Sequence, residues 1–200
     1  MKLALLVPYV AMVIGLYIFK SGWIAFILYH LLILGFLIYS KKLSSWKNMF
    51  KGFNLGFAFG AILFGLMGGI ILYFLSPYAG VESKLTPVLT SLGLTGGIWM
   101  AFVIYHFLIN SWFEEFFWRD YLGSDKKGFV FSDFVFAGYH LLVLALFLSW
   151  PWWILSFAIL SFAAWFWRHL RRKYNGLLMP ILSHIAADAS IMLVAYFISL

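Results

Sequence analysis

The sequence contains no cysteine in its 200 residues. Disulfides, thiol nucleophiles and cysteine-ligated zinc or iron–sulfur centres are therefore excluded. Charge is nearly as scarce. Only 10% of the residues are charged, where soluble domains carry about 25%. Acids are the rarest of these, seven against 14 lysines and arginines. Alternation at period two is missing from the long apolar runs, so barrel strands are excluded and helices remain. No repeat and no low-complexity tract is found, and there is no space for a separate soluble domain.

What is present is hydrocarbon. The chain is 64% hydrophobic, with a mean hydropathy of +0.97. A membrane-spanning helix needs about 20 mostly apolar residues. The apolar runs predict spans at 3–19, 22–39, 53–75, 97–122, 129–148, 152–170 and 177–199. The expectation is an all-α membrane protein: one transmembrane domain over 1–200, a polytopic bundle of about seven helices around an intramembrane polar cavity. The first run lacks a small-x-small cleavage site and reads as a span rather than a signal peptide. Thr86-Pro87 predicts a short outer helix that Gly96-Gly97 breaks from the fourth span. Ser149 and Pro151 predict a cap and a first helical position. Gly52, Gly56 and Gly60, then Gly65 and Gly69, predict a packing face, since small residues at this spacing let helices approach closely.

Basic residues orient the bundle. With the N-terminus inside, the inner side receives Lys2, Lys41, Lys42, Lys47, Lys51, Lys126, Lys127, Arg168, Arg171, Arg172 and Lys173. The outer side receives Lys20 and Lys84. Cytoplasmic loops carry the excess of lysine and arginine, so the N-terminus is expected in the cytoplasm and the C-terminus outside. The net charge of +7 is then a topology signal, with anionic lipid as its partner and no nucleic acid implied.

Against this background the stretch "INSWFEEFFWRDYL" is anomalous. Charge at the bilayer centre costs roughly 2.5–3.5 kcal/mol per residue, and such residues are functional candidates facing the bundle interior. The candidates are Glu114, Glu115, Arg119, His140, His184 and Asp188. At 1.5 Å rise per residue, Glu114 lies about 12 Å, His140 about 16 Å, His184 about 10 Å and Asp188 about 16 Å from the inner ends of their helices. Three helices thus bring polar groups to one depth, and the expectation is convergence on a cavity opening toward Lys126, Lys127 and Arg171. Glu115 and Arg119, four apart, share a helix face and are expected to pair, which leaves Glu114 available. Asp120 and Asp133 are expected at the interface. His30 and His106 are assigned no role.

"EEFFWR" (Glu114, Glu115, Arg119), "FAGYH" (Phe136, His140) and "HIAAD" (His184, Asp188), in this order on successive membrane helices, resemble the CPBP family. These are the CAAX-protease and bacteriocin-processing proteins, glutamate-type intramembrane proteases that include the type II CAAX prenyl endopeptidase. Their pattern is EExxxR, FxxxH, then HxxxN or HxxxD. The resemblance covers about 97–200, which would be the catalytic core. It implies Glu114 as the base that activates water and His140 as a second holder of that water. His184 and Asp188 would face the oxyanion. Glu115, Arg119 and Phe136 would shape the site or bind substrate. Asp188 stands where the prenyl endopeptidases have Asn. An ionised Asp cannot donate to an oxyanion, so Asp188 is expected to accept from His184 and orient that ring.

The resulting expectation is an intramembrane endopeptidase acting on a membrane-associated peptide or protein without a metal or other cofactor, in a prokaryotic cell membrane. Zinc held by Glu114, His140 and His184 is the alternative mechanism. A non-catalytic relative serving as an immunity or partner-binding protein is the alternative function. A transporter or haem carrier using the intramembrane histidines leaves the paired glutamates unexplained. No HExxH, GxGD or GxSG string is present to support another class of intramembrane protease.

Overall fold

The computed structural model describes residues 3–200; Lys2, counted among the inner basic residues, lies outside them. Five helices are long and apolar enough to cross a membrane, and two shorter apolar helices accompany them. In chain order the helices are α1 (Leu3–Ile18), α2 (Gly22–Tyr39), α3 (Leu55–Ala79), α4 (Val81–Ser91), α5 (Gly96–Tyr121), α6 (Phe131–Phe147), α7 (Trp152–Tyr174) and α8 (Leu178–Ser199). A 3-10 segment, Lys42–Phe50, links α2 to α3. This is an all-helical polytopic membrane protein. Its outer surface is a coat of exposed Leu, Ile, Phe and Tyr side chains, as a lipid-facing bundle requires.

Local chemistry sets most boundaries. Ser21 caps α2 by accepting the Ile24 amide at 3.3 Å, and Asn54 caps α3 by accepting that of Phe57 at 3.2 Å. Each satisfies an amide that has no partner within its helix. α3 runs on through Pro77 and stops at Gly80, where φ is +76°; glycine adopts that left-handed conformation without steric cost. The short helix α4 starts at Val81, so Thr86 and Pro87 lie inside it rather than at its start. At the α6–α7 turn Pro151 is the cap residue, one position earlier than expected. The Ser149 hydroxyl accepts from Lys84 Nζ at 3.2 Å instead of capping α7.

α3 and α8 form the tightest pair, and glycine is the reason. A Cβ on Gly65 would sit 2.1 Å from the Ser183 carbonyl oxygen, and one on Gly69 would sit 2.6 Å from Ser190 Cβ. The two backbones are in contact, and the Gly69 amide donates to Ser190 Oγ at 3.0 Å. Gly56 and Gly60 take no part, since a Cβ on Gly60 would meet nothing within 4 Å. Of the expected glycine series, Gly65 and Gly69 pack on α8, and Gly52, ahead of α3, approaches the Tyr174–Gly176 backbone, where a Cβ would meet the Tyr174 carbonyl oxygen at 2.8 Å.

A second correction concerns Arg168. Expected at the inner end as a topology charge, it is fully buried within α7. Its Nε and Nη2 donate to the two oxygens of Asp133 on α6, at 3.0 and 2.7 Å. Nη2 also donates to the Gly128 carbonyl at 2.6 Å, and Nη1 to that of Lys126. Asp133 in turn accepts the Val130 amide at 3.0 Å. One bidentate pair, the geometry that suits arginine and carboxylate, fixes both the start of α6 and the 122–130 connection. Asp133 is accordingly buried, not interfacial. Asp120 ties two segments together near the helix end. It accepts from Ser45 Oγ at 2.6 Å and from Asn48 Nδ2 at 3.5 Å, holding the 42–50 segment against α5.

Glycine contact at α3–α8 makes a prediction with opposite signs at two positions. Gly60→Ala should raise the thermal midpoint, gaining up to about 1 kcal/mol of helix propensity. Gly65→Ala should lower it by about 1–3 kcal/mol through overpacking, despite the same propensity gain. Equal midpoints for the two variants, measured in one detergent, would show that α3 and α8 are not in backbone contact.

Candidate active site

The second half of α5 is enclosed by its neighbours. Glu114, Glu115, Phe116, Phe117, Trp118 and Arg119 are consecutive and all buried. A helix buried on every side is surrounded by protein. Its turns are also widened: His106–Asn110 and Phe116–Tyr121 are π-helical, flanking the two glutamates. Such turns are rare and concentrate at functional sites.

The two glutamates point to different partners. Glu115 Oε2 lies 3.4 Å from Arg119 Nε, both side chains fully shielded. Its other oxygen meets His184 Nδ1 at 2.9 Å. The Arg119 guanidinium lies over the Phe136 ring at 4.7 Å and near Trp167 at 5.7 Å. A cation held over aromatic faces is stabilised by the ring quadrupole, which gives Phe136 a definite contact. Glu114 Oε1 accepts from Tyr29 Oη at 3.0 Å and from Tyr139 Oη. Trp118 Nε1 donates to Tyr29 Oη at 3.1 Å, fixing that hydroxyl. Glu114 Oε2 has no hydrogen bond from the protein and faces His184 Nε2 at 3.5 Å.

His184 stands between three carboxylates. Nδ1 meets Glu115, and Nε2 lies 3.5 Å from both Glu114 Oε2 and Asp188 Oδ1. Carboxylates only accept, so both ring nitrogens are surrounded by acceptors and the imidazolium, with two N–H donors, is the form that matches them. The ring stacks on Trp167 with centroids 3.9 Å apart. Expected from the sequence was orientation of this ring by Asp188. At hydrogen-bonding distance it is Glu115 that holds it. Asp188 Oδ2 is taken up by Ser111 Oγ at 2.9 Å and Asn110 Nδ2 at 3.3 Å, with His106 Nδ1 at 3.5 Å.

His140 joins through Tyr139. Its Nδ1 lies 2.8 Å from the Phe136 carbonyl oxygen and must donate there, which leaves Nε2 as an acceptor 3.1 Å from Tyr139 Oη. The single phenolic proton of Tyr139 thus has two acceptors, Glu114 and His140. Among the described residues no hydrogen bond joins His140 to Glu114 directly.

The cluster is closed. Glu114 is 1%, His184 2% and Asp188 8% exposed, and two surface recesses of the molecule lie elsewhere. Tyr29, Tyr139 and Trp118, which surround Glu114, are themselves buried. Among the described residues no group of three or more His, Asp or Glu side chains is arranged to hold a metal ion.

Residues 95–190 match the family model for type II CAAX prenyl endopeptidase Rce1-like proteins. That segment is similar to the CAAX-protease family. No curated protein and no solved structure matches it. The CAAX-protease segment takes in α5 to most of α8, and with them Glu114, Glu115, Arg119, Phe136, His140, His184 and Asp188. Tyr29, which completes the grip on Glu114, comes from α2 outside it.

Sequence reasoning misses Tyr29, Tyr139, Asn110, Ser111 and His106 as parts of this cluster. Asn110 and Ser111 had a usable signal: they lie four and three residues before Glu114, on its helix face. Tyr29 had none, since a tyrosine in a span reads as packing or as an interface anchor.

Arg119→Ala should leave Glu115 with half of its neutralisation and cost roughly 3–5 kcal/mol, as breaking one side of a buried pair does. Glu114→Gln should stay folded, because the amide oxygen still accepts from the two tyrosines. Thermal midpoints in detergent check both. An unchanged midpoint for Arg119→Ala would mean that His184 alone neutralises Glu115.

Proposed function

We propose that the protein is an intramembrane endopeptidase in which Glu114 activates water against a peptide bond of a membrane-associated peptide or protein. The observation that carries this reading is the division of labour within one carboxylate. Oε1 is held by two tyrosine hydroxyls, while Oε2 is left without a donor and faces His184. An acceptor pinned at one oxygen and open at the other is what a general base needs, since geometry comes before acidity in that role.

The remaining groups supply the complementary charge. Water placed at Glu114 Oε2 gives up a proton to that oxygen as it attacks the scissile carbonyl. The carbonyl oxygen becomes an oxyanion, and the Nε2–H of His184 stabilises it, with Glu115 behind the ring at Nδ1. Preorganised donors of this kind are usually the largest catalytic term. Glu114 then returns its proton to the departing amine. Tyr139 follows the proton. It donates to Glu114 while the carboxylate is ionised, and turns to His140 Nε2 when Glu114 is protonated and becomes a donor itself. Asp188 keeps the region anionic and is held by Asn110 and Ser111, which gives it a positioning role.

The topology belongs to the same proposal: the N-terminus and the Lys126–Lys127 connection on the cytoplasmic side, the C-terminus outside, in a prokaryotic cell membrane. The core is the 97–200 segment within a single transmembrane domain spanning 1–200. No cofactor is invoked. The closed state of the cluster favours one second reading, a non-catalytic family member that binds a partner through its surface.

The test is hydrolysis of candidate membrane peptides by protein reconstituted in liposomes, followed by mass spectrometry. Glu114→Gln and His184→Ala should each lower the rate by roughly 100-fold or more. Tyr139→Phe should reduce kcat more than KM, and Asp188→Asn should be tolerated. Chelator should have no effect. Loss of activity with chelator and its return with zinc would turn Glu114, His140 and His184 into metal ligands. Full function of Glu114→Gln in cells would establish the binding role instead.

A further inference from the structure

Outside the glutamate cluster, α3 and α7 both pack on α8, and residues of both line a recess of about 230 Å³. Its walls are Gly60 and Ala61 of α3 and Phe166 and Leu170 of α7, all apolar. Two aromatic contacts bracket it. Phe64 meets Phe166 with ring centroids 4.0 Å apart on the side toward the bilayer centre, and Phe57 meets Tyr174 at 5.8 Å on the side toward the basic end of α7.

The polar groups are all at that basic end. Arg168 is spent on Asp133, Arg171 on Asp125, and Arg172 on the carbonyls of Asp125 and Lys126. Lys173 is the member of this run that turns the other way. Its Nζ lies over the Phe57 ring, 4.0 Å from the centroid, at the rim of the recess, and among the described residues it has no ion-pair partner. The Tyr174 hydroxyl is shielded from solvent and has no hydrogen-bond partner, although Tyr174 lines the same recess. His169 lines it as well.

An apolar trough running along the bilayer, with an unpaired cation and an unsatisfied hydroxyl at its headgroup end, has the polarity of a phospholipid. We infer that the recess between α3 and α7 is a binding site for an anionic phospholipid of the leaflet at the basic end of α7. An acyl chain lies against Gly60, Ala61, Phe166 and Leu170. The phosphate accepts from Lys173 Nζ and Tyr174 Oη. Basic pockets between transmembrane helices favour such headgroups on electrostatic grounds. The missing side chain at Gly60 is what leaves the trough open, because a Cβ there would meet nothing within 4 Å.

The experiment uses the full-length protein, delipidated in a neutral detergent and titrated with phosphatidylglycerol or phosphatidylcholine, with bound lipid counted by native mass spectrometry. Phosphatidylglycerol should bind at one site and more tightly than phosphatidylcholine. Lys173→Gln should weaken it by about five-fold, the effect of one basic residue near a membrane surface, without changing phosphatidylcholine binding. Tyr174→Phe should weaken it further. Gly60→Leu, which fills the trough, should remove binding of both lipids while leaving a folded protein. Equal binding of the two lipids, or phosphatidylglycerol binding unaltered in Lys173→Gln and Gly60→Leu, would overturn the assignment. So would a parent protein that is dimeric in detergent and becomes monomeric in Gly60→Leu, because a second copy of the chain would then occupy the trough. None of these readouts depends on peptidase activity.

Discussion

Glu115 has no exposed surface, and a carboxylate in that position must be neutralised by what touches it. Two cations do so from opposite sides, Arg119 from one turn further along the same helix and His184 from α8. Neither partner would be stable alone. Arg119 is fully buried with aromatic rings over its plane, and His184 is sandwiched between Trp167 and carboxylates. Removing charges from water costs several kcal/mol per ion, and only good mutual geometry returns it. The three groups therefore have to be present together, and their joint placement fixes how α5 and α8 face each other. The position of His184 relative to Glu114 follows from that.

The surrounding polar groups extend the same logic outward. Tyr29 and Tyr139 bring donors to Glu114 from α2 and α6; Asn110 and Ser111 bring donors to Asp188 from within α5. His30 continues the chain, reaching Asn110 Oδ1 at 3.3 Å and Tyr105 Oη at 2.7 Å. His30 and His106 thus lie on the margin of the cluster rather than in isolated apolar packing. Widened turns in α5 are what allow one helix to present polar groups to so many neighbours. A uniform α-helical repeat spaces successive residues by about 100°, and insertion of π turns shifts the register on either side of the glutamates.

Much of this is legible in the sequence, for a physical reason. Long apolar runs bounded by polar residues mark spans, and the helix limits agree with them closely, from α2 at Gly22–Tyr39 to α8 at Leu178–Ser199. Charges inside such runs stand out because they are costly, so Glu114, Glu115, Arg119, His184 and Asp188 are visible, as is the Glu115–Arg119 spacing. Partners without charge are not. Tyr29 and Tyr139 look like any other aromatic residue in a sequence rich in them, and Asn110 and Ser111 stand out only through their spacing from Glu114. Arg168 misleads in the opposite sense. It sits among Arg171, Arg172 and Lys173 and reads as one more topology charge, because nothing in a single sequence links it to Asp133 on another helix. For the same reason the apolar run stops α7 at 170; its last turn continues to Tyr174 with three basic residues in it, where they complement the carbonyl end of the helix.

The backbone contact between α3 and α8 bears on how the protein answers the membrane around it. A bundle in a bilayer thinner or thicker than its apolar length adjusts by tilting its helices or deforming the lipid. Helices that touch through smooth side-chain surfaces have a further option, to slide past each other along their axes. α3 and α8 do not have it: Gly65 is seated against the carbonyl of Ser183, the residue before His184, and Gly69 against Ser190. Any axial slip would drive Cα atoms over carbonyls. Changes in bilayer thickness are therefore taken up by the pair as a rigid unit, and the height of His184 is set by protein rather than by lipid.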